Sequence, residues 1–403
     1  MKGVALDMTI GERVAFYRRR RGITQVALAG LVGRTESWIE KIEGGRSPLD
    51  RVSVIRDLAR ALDVSLHDLL PDDVADLVDG AHGRSVPALR ELVLSYRAVN
   101  PRFAAAQDDA PVRIADLRLI VDDIWVAYQD SHFAYAVQQL NRAIPLAYQA
   151  ATRSTDDSSE AQRCLAHLYQ VAATVLVKLG DLDLARLCAD RGDIAAQASG
   201  NPIAQISLQR SIAHTLLSNC QFADAVTVVR DGVIDAGEPR SPAAISVVGT
   251  LMLVGATASA RAGERSEAMV FLRHADRLAE RLGRDGNEVW TSFGATNVGI
   301  HRTTVAADLG DVDRAIELGL SLDVSAMPRE RQVRHRLEIA RALARVGRND
   351  DSLMSVLAAE RDAPEQVRRH FLAHELVHGW IRSTRLTPSA DLVALARRLG
   401  HSA

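Results

Sequence analysis

The chain has 403 residues, enough for two or three domains, and 47% of them are apolar, enough for a large core. Aromatics make up only 4%, so that core must be built from Ala, Leu and Val, which favour packed helices over sheets. A net charge of −2 excludes a uniform polycation, and the sequence offers neither a leader-type segment nor a continuous apolar span, so a cytoplasmic protein without a membrane segment is expected.

The charge is unevenly distributed. Residues 1–70 hold 12 Lys/Arg against 9 Asp/Glu, leaving 37 against 42 for the rest, as suits a phosphate-facing module on an acidic carrier. Five short helices are predicted there. Thr9-Ile10-Gly11-Glu12 is a capping box for the first, which Gly22 stops. Thr24 caps the second, Gly33 supplies a tight turn, and Thr35 caps a third that ends at Gly44-Gly45. A fourth spans about 50–62, and Ser65-Leu66-His67-Asp68 starts a fifth that closes near Pro71.

Helices two and three, joined so tightly, form a helix-turn-helix, in which the second helix enters the major groove. Ile39 and Ile42 share its inner face, turning Glu36, Ser37, Trp38, Glu40 and Lys41 outward. Ser37 suits base edges, Glu36 suits cytosine N4, and Lys41, Arg46 and Gln25 suit phosphates.

The stretch G-I-T-Q-V-A-L-A-G-L-V-G-R-T-E-S-W-I-E-K-I-E-G-G-R-S-P-L-D (22–50) resembles the XRE family of Cro- and phage-repressor-like domains. The T-Q pair, the turn Gly, the Thr cap and the Ile-x-x-Ile-Glu end carry the likeness. The resemblance implies a five-helix lambda-repressor-like fold, binding to double-stranded DNA as a homodimer, and DNA contacts at Gln25, Thr35, Ser37 and Lys41. Two residues depart from the family pattern. Arg34 replaces an apolar turn residue and adds a phosphate contact. Trp38 replaces a small or polar residue, to pack either on a sugar or thymine methyl or against a neighbouring domain.

Residues 72–84 read as a linker between a head (1–71) and a repeat region (85–403). An aliphatic–Gly–polar–x–x–x–Ala element recurs at 178–185, 261–268 and 308–315, with weaker copies at 218–225 and 345–352 and a degenerate one in Y-Q-D-S-H-F-A-Y-A. It is the elbow of a tetratricopeptide-like (TPR-like) hairpin: Gly accepts positive φ, and the small residue lets two helices approach. Six hairpins and a terminal helix are predicted in an all-α superhelix. One inner helix is expected to carry Trp290, Phe293, Asn297 and His301 along one stripe, either as a wall for a peptide or small-molecule effector or as inter-helix packing. The whole resembles the XRE–TPR regulators of high-GC Gram-positive bacteria, some of which bind signalling peptides.

His374-Glu375-x-x-His378 matches the zinc peptidase motif. A third ligand is missing, and only 25 residues follow His378, too few to complete a cleft, so the match reads as coincidence. No cofactor is expected, and Cys164, Cys188 and Cys220 read as small apolar residues in a reducing compartment. The sequence reading is a transcription regulator rather than an enzyme, with a protein-docking scaffold as the alternative.

Overall fold

The computed structural model describes residues 8–47, 49, 52–62, 64, 69, 85–95, 113–153, 157–382 and 389–400. They fall into two compact units, one comprising 1–81 with 368–403, the other 82–367.

The first unit begins with α1 (Ile10–Arg20), α2 (Gln25–Leu31), α3 (Glu36–Glu43) and α4 (Val52–Leu62). Thr9 and Glu12 complete both halves of the capping box, and Thr24 and Thr35 accept from the first-turn amides of α2 and α3. Ile10, Val14, Leu28, Ile39, Ile42, Ile55 and Leu58 close the core. Gly11 permits α1 to lie against α3, since a β-carbon there would sit 2.0 Å from the Ile42 carbonyl oxygen. The expected fifth helix and the linker lie outside the described residues.

The second unit opens with α5 (Ser85–Leu94) and continues as six antiparallel hairpins. These are α6 (Ile114–Gln129) with α7 (Phe133–Arg153), α8 (Ser158–Leu179) with α9 (Leu182–Ser199), and α10 (Pro202–Ser218) with α11 (Phe222–Ala236). Then come α12 (Pro242–Ala262) with α13 (Arg265–Leu282), α14 (Ala295–Asp308) with α15 (Val312–Ser321), and α16 (Arg329–Arg345) with α17 (Asn349–Asp362). The short α18 (Pro364–Arg368) ends the stack.

All six elbows have one construction. Gly180, Gly263, Gly310 and Gly347 take φ between 80° and 89°, and Ser131 and Cys220 adopt 64° and 63° where the glycine is replaced. Five residues on, Ala136, Ala185, Ala225, Ala268, Ala315 and Ser352 are fully buried between the paired helices. The first helices of successive hairpins also pack on one another, which makes the stack TPR-like, and α16 reaches back to touch α6. The long apolar α12 is by length and composition able to cross a membrane, yet Ile245–Ala260 are all buried as core.

Two further helices, α19 (Phe371–Ile381) and α20 (Ala390–Arg398), belong to the first unit. Phe371 packs on the head core, and Arg382 Nη2 donates to Glu12 Oε2 at 3.2 Å. The compact unit around the head therefore takes in residues that the sequence reading gave to the repeats. Helix α19 follows α18 after only Arg369 and the extended N-cap residue His370. Its assignment is fixed by an apolar contact and an ion pair with residues more than 300 positions away. Among the described residues there are no strands, only one isolated bridge between Gly286 and Phe293.

Candidate nucleic-acid interface and effector wall

Helix α3 divides into two faces. Ile39 and Ile42 are buried, while Thr35, Glu36, Ser37, Glu40 and Lys41 are exposed, as are Arg34 in the preceding turn and Arg46 after the helix. Ser37 and Lys41 stand four residues apart and so share one ridge. Trp38 is half-buried at the edge of the head's own core, with the Arg34 guanidinium carbon 5.5 Å from its ring centre, in cation–π range. The two residues that depart from the family pattern thus lie against each other. Arg46 Nη2 donates to Glu40 at 2.5 Å on the exposed surface.

Gln25 differs from its expected setting. Its Nε2 donates to Glu43 Oε2 at 2.8 Å. Glu43 also accepts from Arg18 Nε at 2.6 Å and Nη2 at 2.8 Å, while Arg18 Nη1 donates to the Ile23 carbonyl. The pair is largely buried, at 13% exposure for Arg18 and 6% for Glu43. Hydrogen bonding to Glu43 raises the Arg18 pKa. This knot ties α1, α2 and α3 together and sets the angle of the outward face. Sequence reading took Glu43 only as a helix end. The one signal available was a carboxylate beside Ile42, on the inward side of α3.

The expected stripe Trp290, Phe293, Asn297 and His301 is not a single helical face. The chain from Glu288 to Trp290 is a 3-10 turn, Val289, Trp290 and Ser292 have φ near 50°, and α14 begins only at Ala295. Side-chain caps break the helix. Asn287 Oδ1 accepts from Ser292 N at 3.1 Å, and Asp285 accepts from Thr296 N at 3.1 Å and Thr296 Oγ1 at 2.7 Å. Gln129 and Asn287 exchange reciprocal amide hydrogen bonds of 2.9 Å, pinning this loop to α6. Trp290 stacks on Trp125, with ring centres 5.2 Å apart and planes 5° apart, and meets His167 edge-on. Phe293 is fully buried over Gly249. Asn297 and His301 do lie on α14, where His301 Nδ1 donates to the Asn297 carbonyl at 3.0 Å. Burial pushes the His301 pKa down to about 3, so the ring is neutral. Of the four, His301 lines a cavity that it shares with residues of the other inner helices.

In α19, His374 is 1% exposed and its Nε2 donates to the Arg368 carbonyl at 2.7 Å. Among the described residues no group of three or more His, Cys, Asp or Glu is placed to hold a metal. Cys164 and Cys188 are buried, and desolvation raises their thiols to about 11 and about 12.

Comparison with known proteins adds to this geometry. A helix-turn-helix domain family matches residues 9–71. None of the curated proteins compared matches the sequence. Among solved structures, the chain is similar to PlcR of Bacillus thuringiensis, crystallised with the peptide PapR7 and DNA, at 14% identity and a TM-score of 0.35, over 68% of this chain and 95% of that one. The chain carries a helix-turn-helix domain at residues 9–71, followed in sequence by a stack of six α-helical hairpins of TPR-like construction.

Proposed function

We propose that the protein is a sequence-specific transcription regulator, working in the cytoplasm without catalysing a reaction. Helix α3 enters the major groove, and the repeat domain serves dimerisation, effector sensing or both. The supporting observation is the composition of the outward face of α3, held by buried Ile39 and Ile42 on one side and the Arg18–Glu43–Gln25 knot on the other. Ser37 reads base edges, while Lys41, Arg34 and Arg46 meet phosphates. Thr35, Glu36 and Trp38 complete the contact surface, and Gln25 acts by holding α3 in place.

One head makes a modest interface, so a homodimer on paired half-sites of double-stranded DNA is the reading's natural form. Genome-wide mapping of bound DNA followed by mobility shifts on the sites recovered tests it. Ser37→Ala with Lys41→Ala removes specific binding and leaves the chain folded. A folded wild-type protein that recovers no preferred sequence would refute the proposal.

A further inference from the structure

The six inner helices α6, α8, α10, α12, α14 and α16 all contribute side chains to one partly enclosed cavity of about 40 Å³. Its lining is strongly cationic. Lys178, Arg210, Arg331 and Arg334 face it, with His214 and His301 between them. The adjoining carboxylate, Glu330, is already engaged: it pairs with Lys178 and lies 3.7 Å from Arg331. Arg210 has its Nε and Nη2 shut off from solvent with no hydrogen-bond partner, and Arg334 makes no hydrogen bond or ion pair among the described residues. Nearby Glu338 is paired with Arg341, and Asp308 with Arg261 and Arg341.

Guanidinium nitrogens shut off from water without an acceptor are unfavourable, as at Arg210, while the half-buried Arg331 and Arg334 add two more cationic groups to the same lining. The hydroxyls around the cavity do not compensate. Thr174, Thr250 and Thr257 donate to carbonyls of their own helices, at Gln170, Ser246 and Leu253. Three of the lining side chains carry planar guanidinium forks, the group best matched to a carboxylate or phosphate. A water needs roughly 10–15 Å³ of such space, so the cavity holds about three water-sized groups. That is the size of one anionic headgroup and too small for a peptide segment.

We propose that this cavity binds the carboxylate or phosphate headgroup of a small molecule, whose remainder extends toward the cavity opening. Its role as an effector site deepens the sensing role proposed above and rests on it, whereas capture of the anion does not. Because every hairpin contributes to the lining, an occupant that draws Arg210, Arg331 and Arg334 together alters the stacking of all six. Burial and the neighbouring arginines lower the pKa of His214 and His301, and a bound anion opposes that effect.

The test uses the full chain, with inorganic phosphate and acetate as probes against chloride at equal ionic strength. Expected are saturable binding of one phosphate or acetate per chain by calorimetry and a rise in Tm on the order of 5 °C at saturation. Arg210→Met with Arg334→Gln should lose at least tenfold in affinity while unfolding no earlier than wild type in chloride alone. Arg210→Lys, which retains charge and loses the fork, substitutes if the double variant does not fold. Binding of acetate alone assigns a carboxylate headgroup, and phosphate alone a phosphate one. A Tm that climbs without saturation, equally in wild type and variant, reflects general salt exclusion and overturns the proposal, as does the absence of binding by both probes. Loss of operator binding with anion capture intact overturns the regulator reading and leaves the site standing.

Discussion

Replacing Glu43 by alanine is the sharpest test of how the head presents α3. Glu43 accepts three hydrogen bonds, two from Arg18 and one from Gln25, at 2.6 to 2.8 Å. Removing one member of a buried ion pair costs about 3–5 kcal/mol, because the surviving charge keeps its desolvation cost. Arg18 retains its bond to the Ile23 carbonyl and some solvent contact, which places the expected loss at the low end, about 3 kcal/mol. For a domain of 60–100 residues each kcal/mol is worth about 4–8 °C, so the head should melt about 12–24 °C earlier. Amide hydrogen exchange on the full chain locates the loss, with α1, α2 and α3 losing protection together while the repeat unit is unchanged. Glu43→Gln keeps an acceptor and should fall between, at about 1–2 kcal/mol. A loss below about 1 kcal/mol for Glu43→Ala would show that the apolar core alone sets the geometry of the head and that the knot is incidental.

Lys41→Ala should weaken DNA binding about equally across sequences and reduce the slope of log K against log salt by about one per head, whereas Ser37→Ala should relax base preference with the slope unchanged. An unchanged slope for Lys41→Ala would remove it from the phosphate contacts. Burial lowers His167 to about 4 and His301 to about 3, so both are neutral in the fold and bind protons first in the unfolded chain, near pH 6.5. Repeat-domain stability should therefore fall as pH drops below 6.5, by about 1.4 kcal/mol per histidine per pH unit, until each folded-state pKa is reached. Urea denaturation in phosphate-free buffer measures this, and a flat profile between pH 7 and 5 contradicts it. Gly249→Ala would place a β-carbon 2.1 Å from the Phe293 ring and should cost about 1–3 kcal/mol, read as loss of exchange protection in the 286–293 loop. Wild-type protection there would mean that the ring has another place to go.

The repeats were legible because each elbow has a local requirement. A chain reversing between two packed helices needs one residue at positive φ and one small residue five positions later. Gly180 with Ala185 shows this plainly, and Cys220 with Ala225 meets the same requirement without glycine. The caps Thr9, Thr24 and Thr35 are equally local. The loop at 286–293 was misread because Trp290, Phe293, Asn297 and His301 keep helical spacing, while the groups that interrupt the helix, Asp285 and Asn287, act through their side chains. The placement of Gln25 and the cationic cavity share another kind of obscurity. Gln25 depends on Arg18 and Glu43, and the cavity on residues from Tyr128 to Arg334, and no periodic pattern links them.

The reciprocal amide pair of Gln129 and Asn287 has a consequence for how the chain folds. In an open solenoid each repeat answers only to its neighbours, so the ends fray independently and folding spreads from any point. Here the first hairpin is also bonded to residues 158 positions onward, Ser131 Oγ donates to Gln366 at 2.6 Å, and Lys178 reaches Glu330. These contacts turn a linear stack into a clasped ring. Breaking the Gln129–Asn287, Ser131–Gln366 and Lys178–Glu330 contacts together should unfasten the first two hairpins from the later ones, and with them intact the array should unfold in one concerted transition. The loop closures this demands before the clasp can form will make its folding slower than that of an unclasped array of the same length.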